Sequence, residues 1–373
     1  MTAISYGMHI DGRPADPDLL AAVQQIEVED HADMADMLRL SLAIGVRKDS
    51  SGWSVLDEDL FRRLTNIKVN MAVGSGAAEP LIDAYVIETR ARISNGPGQS
   101  TLDILAMDPT VLMNLQEKIR PWPDMADSDI ARAVFGEHGF TAKVAPTQPA
   151  RQVVDYATIQ RGTDIQFLRH LAWRNGCECY VEIHPATSAV EGHFHPPQLQ
   201  QPPQGVLSIN MGEATNVNRF EARYDMLRPT TAQITGLDVE TRADQPARVE
   251  SPSQDRLGKE TAFCRDRPRR ILLSRTGLTQ AGELQIHAQA VVDRSAWAIT
   301  ADGELNTVAY GGILRAKRPV SVRGAGRQFS GTYYVEKVLH TFGGEGYSQH
   351  FTLRRNALGL TGQERFKKNG ASR

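Results

Sequence analysis

The sequence predicts a mainly β fold with an α+β insert, in which two related β-domains flank the insert. Three observations predict it. The first third is a series of alternating runs separated by turn residues. The middle switches to helical spacing with capping residues. The chain then closes on a hairpin that resembles one near residue 100.

In the first third, Val23–Asp30 and Met37–Ile44 alternate, the second with Leu38, Leu40, Leu42 and Ile44 on one face. Asn66–Val73, Ala84–Ile93 and Ser100–Met107 follow, divided by KDSSG, GSGAAEP and NGPG. Period-two runs bounded by such turns read as strands of a sandwich or barrel. Asp127–Gly139 opens on capping residues and stops at glycine, which predicts a short helix. Thr163–Gly176 predicts a second one: Thr163 and Gln166 form a capping box, Ile165, Leu168 and Ala172 share a face, and Gly176 fits the position after the C-cap. Cys177–His184 reads as a strand and Pro196–Gly205 as a polar surface loop. Strands resume at Arg219–Met226, Thr230–Val239 and Arg269–Arg275, with a helix around Gln280–Arg294. In Gly311–Gly324, Pro319 marks an edge or strand-start position. The final hairpin, Gly331–Ala357, turns at Gly343-Gly344-Glu345-Gly346.

Laid without gaps on Tyr85–Asp108, that hairpin puts Tyr333 on Tyr85, Glu336 on Glu88, Gly344 on Gly96, Gly346 on Gly98, Ser348 on Ser100 and Leu353 on Leu105. Two hairpins can look alike by turn composition alone. The matching turn glycines favour the other reading, two related β-domains, because glycine there supplies positive φ.

The chain has 373 residues and a net charge of −2, so no global basic field favours nucleic acid. Its apolar runs are too short for a membrane span, and the N-terminus lacks the pattern of a secretion signal. Cys177, Cys179 and Cys264 do not form a disulfide framework, which fits a reducing compartment. GAGRQF (Gly324–Phe329) lacks the third glycine of a dinucleotide loop and is expected to lead into a strand. P-loop, HExxH, GxSxG and calcium-loop patterns are missing from the sequence. Cys177, Cys179, His184, His193 and His195 are the one metal-like cluster. Their spacing departs from zinc-site patterns, so buried inert thiols and a solvated loop are expected, with no cofactor. Arg265, Arg267, Arg269, Arg270 and Arg275, and the tail residues Arg365, Lys367, Lys368 and Arg373, read as a solvated edge and a frayed end or as contacts with an acidic partner.

The order of these segments resembles the phage late control D family, the hubs of contractile tails and the N-terminal part of type VI secretion spike proteins. The resemblance rests on SDIARAVFGEHGF, on Asp164, Phe167, Leu168, Leu171, Ala172 and Gly176, and on Phe329-Ser330-Gly331, Tyr333, Val335, His340, Gly346-Tyr347, Phe351 and Arg355-Asn356. One expected glycine is Ala84. The chain ends shortly after Asn356, which the resemblance reads as a stand-alone hub without a fused spike or lysozyme domain.

The resemblance implies two tube-like β-barrels per chain, at 1–110 and 206–360, an insert at 111–205 and a basic tail at 361–373. It implies a homotrimeric ring that adapts a three-fold spike to a six-fold inner tube, without catalysis or cofactor. The implied partners are its own copies, the spike protein, an inner tube or tube-initiator protein and a tape-measure protein, with neither nucleic-acid recognition nor a membrane anchor. Assembly in a bacterial cytoplasm into a tail baseplate follows, whether of a phage, a tailocin or an extracellular injection system. The alternatives are a tail-associated cell-wall-degrading enzyme and a β-rich carbohydrate-binding module. Aromatic residues make up only 6% of the chain, which leaves few sugar-stacking platforms.

Overall fold

The structure, a computed structural model, describes residues 4–47, 51–96, 98–147, 158–185, 187–237, 243–263, 266–274, 281–364 and 366. Six strands build the first sheet: β1 (Ile4–Ile10), β2 (Val23–His31), β3 (Met37–Ala43), β4 (Asn66–Val73), β5 (Glu79–Arg92) and β6 (Thr101–Met107). Their spatial order is β2-β3-β6-β5-β4-β1. The alternation seen in sequence holds: Leu38, Leu40 and Leu42 are fully buried, while Arg39 between them is exposed.

The insert follows: β7 (Glu117–Trp122), α1 (Asp127–Glu137), β8 (Thr141–Val144), β9 (Thr158–Thr163), α2 (Asp164–Arg174), β10 (Glu178–Ile183) and β11 (Val190–His195). The capping box of α2 forms, with Gln166 accepting from the Thr163 N–H at 3.4 Å. Gly176 takes φ +67° just past its end. One face of each helix packs with β10 and β11 into a separate core around Phe135, Phe167, Leu168, Leu171 and Phe194.

The last part is β12 (Val206–Ser208), β13 (Val217–Tyr224), β14 (Thr230–Leu237), β15 (Asp244–Val249), β16 (Arg269–Leu273), α3 (Ala281–Ser295), β17 (Ile299–Leu305), β18 (Pro319–Arg323), β19 (Gly331–Gly343) and β20 (Gly346–Arg355). Strands β14 to β16 form their own sheet, whose core is shared with α3. The other six pair as β13-β17-β20-β19-β18-β12. This is the connectivity of the first sheet repeated, strand for strand in chain order. One step differs: β12 pairs with β18 in parallel, whereas β1 pairs with β4 antiparallel.

The equivalence extends to defects. In the first sheet Val23 pairs with Leu42, Gln24 bulges and Gln25 pairs with Ser41. In the second Val217 pairs with Leu305, Asn218 bulges and Arg219 pairs with Glu304. Ile87 bulges between the pairs Val86–Ala106 and Glu88–Leu105. Glu336 bulges between Val335–Leu353 and Lys337–Thr352. Leu64 and Lys317 both have positive φ, +63° and +66°, and donate to the carbonyls of Val86 and Val335 respectively.

These matches correct the gapless alignment. The bulges and the buried faces place Val335 on Val86, not on Ile87, and Leu353 on Ala106, not on Leu105. Glu88 therefore corresponds to Lys337, and Glu336 to Ile87. The loops account for the slip: the second hairpin closes tightly with Gly343 opposite Gly346, whereas the first has its last pair at Arg92–Thr101. A one-residue shift along a strand exchanges its two faces, so the identities at that offset do not mark equivalent positions.

The sheets curl around their cores, but among the described residues neither forms the closed barrel that was expected. The reason is in the pairing. The outer edge of β2 bonds to β19 of the other copy, from Lys337–His31 to Gly343–Gln25, and so cannot close on β1. Both copies thus merge into one sheet, which counts thirteen strands with the two-residue strand Arg13–Pro14 that pairs with β1.

Candidate functional site at the seam between the sheets

Lys317 stands at the β2–β19 seam, fully desolvated. Its Nζ donates to Asp30 Oδ1 at 2.8 Å and to both carboxylate oxygens of Asp36, at 3.0 and 2.8 Å. Asp30 also accepts from the Ala316 N–H, with Arg315 Nε 3.2 Å away. Asp108, after β6, accepts from the Asp36 N–H at 2.8 Å. Burial alone would raise Asp30, but Lys317 and Arg315 hold it well below the usual carboxylate range. Burial would lower Lys317, and the same two aspartates hold it charged and raised. Breaking such a cluster would strand a charge in the interior.

A second cluster ties in the insert. Tyr334 on β19 donates to Glu178 Oε2 at 2.6 Å, and Arg354 on β20 donates to Glu178 Oε1 at 2.5 Å and to Asp33 at 3.0 Å. The Arg354 guanidinium lies over Trp297, 4.6 Å from the ring centroid. Burial raises Glu178 to about 7 despite Arg354.

The motif residues divide between the two ends of this frame. Asp164 caps the interior of the insert: it is buried and accepts from Lys118 at 2.7 Å, Gln160 at 2.7 Å and His138 at 2.8 Å. Burial works against its charge, but these donors hold its pKa low. Phe167 and Leu168 are core. At Gly176 a Cβ would lie 3.4 Å from Ala290 of α3, so the α2 end packs closely on that helix.

The hairpin residues converge on Arg355, which is fully buried without a carboxylate partner among the described residues. Its guanidinium donates to the carbonyls of Leu257, Ser330 and Gly359 and lies over Tyr333. Gly331 (φ +137°) leaves room for it, since a Cβ there would approach Arg355 Nη2 to 2.2 Å. Tyr333 donates to the Phe329 carbonyl, and Asn356 accepts from the Leu257 N–H and donates to Asp255. Phe351 fills the second core beside Gly303. Gly346 takes φ +101° in the turn, whereas Gly344 does not adopt positive φ. These contacts pin a loop across the end of the sheet.

The metal-like cluster is split by the sheet. Pairing of Tyr180 with His193 and of Glu178 with His195 puts both imidazoles on one face, while Cys179, opposite Phe194, points to the other. Burial pushes Cys177 and Cys179 up to about 12 and His193 down to about 4, so the thiols stay protonated and the imidazole neutral. His184 lies in a turn, where Nδ1 accepts from the Thr187 N–H. GAGRQF forms a four-residue helical turn, Gly326–Phe329, before β19, where a direct lead into a strand was expected. Arg267, Arg269 and Arg270 are exposed. Cys264, Arg265, Arg275, Arg365, Lys367, Lys368 and Arg373 lie outside the described residues. Lys317, Asp30 and Asp36 carry no signal in the sequence: Gly311–Gly324 is marked only by Pro319, as an edge or strand start, and neither aspartate is near it in the chain.

The fold is similar to that of solved phage tail proteins. It matches a tail protein from Neisseria meningitidis with a TM-score of 0.65 at 12% identity, over 95% of this chain and 97% of the other. The 43 kDa tail protein of prophage MuSo2 from Shewanella oneidensis matches with 0.63 at 14%, over 95% and 100%. An E. coli component of the type VI secretion system, itself similar to the T4 bacteriophage tail proteins gp27 and gp5, matches with 0.55 at 10%, over 93% and 76%. No curated protein matches the sequence. The chain belongs to the family described as the Alg8 N-terminal domain, whose model matches residues 2–343.

Proposed function

We propose that this chain is a structural baseplate hub of a contractile phage tail or related injection system, of the late control D kind. One observation carries the reading: the similarity spans nearly the whole chain and nearly the whole of the Neisseria and MuSo2 tail proteins. In this reading the two sheets, within residues 1–110 and 206–360, are two similar modules. Three chains then place six modules around one axis, matching a three-fold spike to a six-fold tube. The insert, 111–205, braces the seam through Glu178. The partners are further copies of the chain, the spike protein, an inner tube or tube-initiator protein and a tape-measure protein. Assembly takes place in the bacterial cytoplasm. No bond is broken in this role, and the buried ion pairs serve as rigid joints. Among the described residues no helix is long and apolar enough to cross a membrane.

Co-production with the spike protein from the same gene cluster, followed by light scattering, tests this. The expected complex contains three copies of the 41.1 kDa chain. A monomer or dimer in that complex overturns the hub reading, and peptidoglycan hydrolysis by the purified chain would favour a cell-wall-degrading enzyme instead.

A further inference from the structure

The duplication leaves one edge of each sheet in a different state. In β19, residues Lys337–Gly343 are covered by β2. The equivalent stretch of β5, from Glu88 onward, pairs with β6 on one side and with nothing described on the other. The effect on burial is direct. Val338 and His340 are 0% and 1% exposed, whereas their equivalents Thr89 and Ala91 are exposed. Ile93, at 60% exposure, takes the place of Phe342, which packs against Tyr6. At the far end of the sheet β13, the equivalent of β2, pairs on one side only among the described residues. Phe220 and Ala222 there are only partly buried, where Ile26 and Val28 are 1% and 0% exposed. Met226, at 63%, takes the place of fully buried Ala32.

We propose that β5 of one chain pairs antiparallel with β13 of a second copy, in the register that β19 and β2 use within the chain. This rests on the hub reading for the number of copies and goes beyond it by naming the surface and the register. Transferring the observed pairs gives Glu88 opposite Asp225, Ala91 opposite Ala222 and Arg92 opposite Glu221. The Met226 N–H then donates to the Ile87 carbonyl, as the Ala32 N–H does to Glu336.

The chemistry of both edges supports this occupant. Unpaired strand edges expose a row of donors and acceptors suited to another strand, and neither a proline nor a bulge blunts β5 between Glu88 and Arg92. Charges match in part: the Lys337–Glu29 ion pair (3.3 Å) maps onto Glu88 and Arg223 with both signs reversed and Arg92 faces Glu221, whereas Glu88 also stands opposite Asp225 and Arg90 opposite Arg223. Leu64 replaces Lys317 at the strained φ, and Tyr224 replaces Asp30. An apolar contact between chains thus stands where the chain's own seam is ionic. Each chain presents one β5 edge and one β13 edge, which are different surfaces, so the contact is heterologous, and with the three copies of the hub reading it forms a ring.

Cysteine pairing in the full-length protein tests the register. Arg92 and Glu221 fall at a non-hydrogen-bonded position, where opposed Cα atoms are about 4.5 Å apart, close enough for a disulfide. Under mild oxidation, Arg92→Cys mixed with Glu221→Cys should give a covalent two-chain species, and the double variant a three-chain band. Arg92→Cys with Ala222→Cys, on opposite faces, should stay single-chain, as should the wild type. A trimer by light scattering without the Arg92–Glu221 cross-link overturns the proposed pairing and leaves the hub reading intact. A monomer with the spike protein present overturns both.

Discussion

The two sheets solve the same packing problem with different side chains. In the first, Leu40 on β3 pairs with Ile104 on β6, two medium residues meeting in the core. In the second, the equivalent pair is Gly303 on β17 and Phe351 on β20. A Cβ on Gly303 would lie 2.4 Å from the Phe351 ring and 2.4 Å from the Arg219 carbonyl oxygen. The volume has moved from one strand to its neighbour. Backbone topology, bulges and buried faces are retained while residue identities are not. This teaches that pairing register and the sum of side-chain volumes define the module, and that sequence identity between the halves is a poor guide to it.

The seams differ in the same way. Within the chain, the β2–β19 contact is covered and held by Lys317, Asp30 and Asp36. Among the described residues the corresponding edges of β5 and β13 are unpaired, with Leu64, beside β5, and Tyr224, on β13, at the matching places. A buried ion cluster is costly to break but contributes little net stability over apolar packing. Its presence on one side only predicts that the two places respond differently to substitution.

The largest effect should come from Lys317→Met, which leaves Asp30 and Asp36 buried without their cation. Loss of about 3–5 kcal/mol is expected, read as a shift of the urea midpoint. The mirrored change, Leu64→Met, should move the midpoint little. Equal effects would show that the two seams are alike after all.

Next come two substitutions that install alanine at equivalent positions. Leu40→Ala removes volume and should cost about 2–5 kcal/mol through a cavity. Gly303→Ala adds volume and should cost about 1–3 kcal/mol through overpacking. Adding Phe351→Ile to Gly303→Ala should rescue it only in part, because the Arg219 carbonyl stays in the way. Full rescue would mean that the ring alone dictates glycine there.

The smallest effect separates the turn glycines. Gly346→Ala places a side chain at φ +101° and should cost about 1–2 kcal/mol, measured by the urea midpoint. Gly344→Ala should lie within about 0.5 kcal/mol of wild type, as surface changes usually do. The reverse ranking would contradict the backbone assignment of the turn.

The sequence by itself determined the local structure wherever a pattern repeats over a few residues. Alternation in Met37–Ala43 and Asn66–Val73, the capped helix Asp164–Arg174 and the long closing hairpin were all legible, because each face or cap is specified by neighbours in the chain. The strand Ile299–Leu305 was not legible. ITADGEL reads as turn chemistry, since Gly303 is small to admit Phe351, nearly fifty residues later, and the Arg219 carbonyl on the neighbouring strand. Whether the sheets close into barrels was likewise settled by the edge of β2, which meets a strand more than three hundred residues away. The candidate site divides along the same line. Arg355, Asn356 and Gly331 stood out in the sequence. The seam of Lys317 with Asp30 and Asp36 could be recognised only once the fold had brought the two ends of the chain together. Charges so far apart in sequence have no spacing to betray them, and only their shared burial makes them partners.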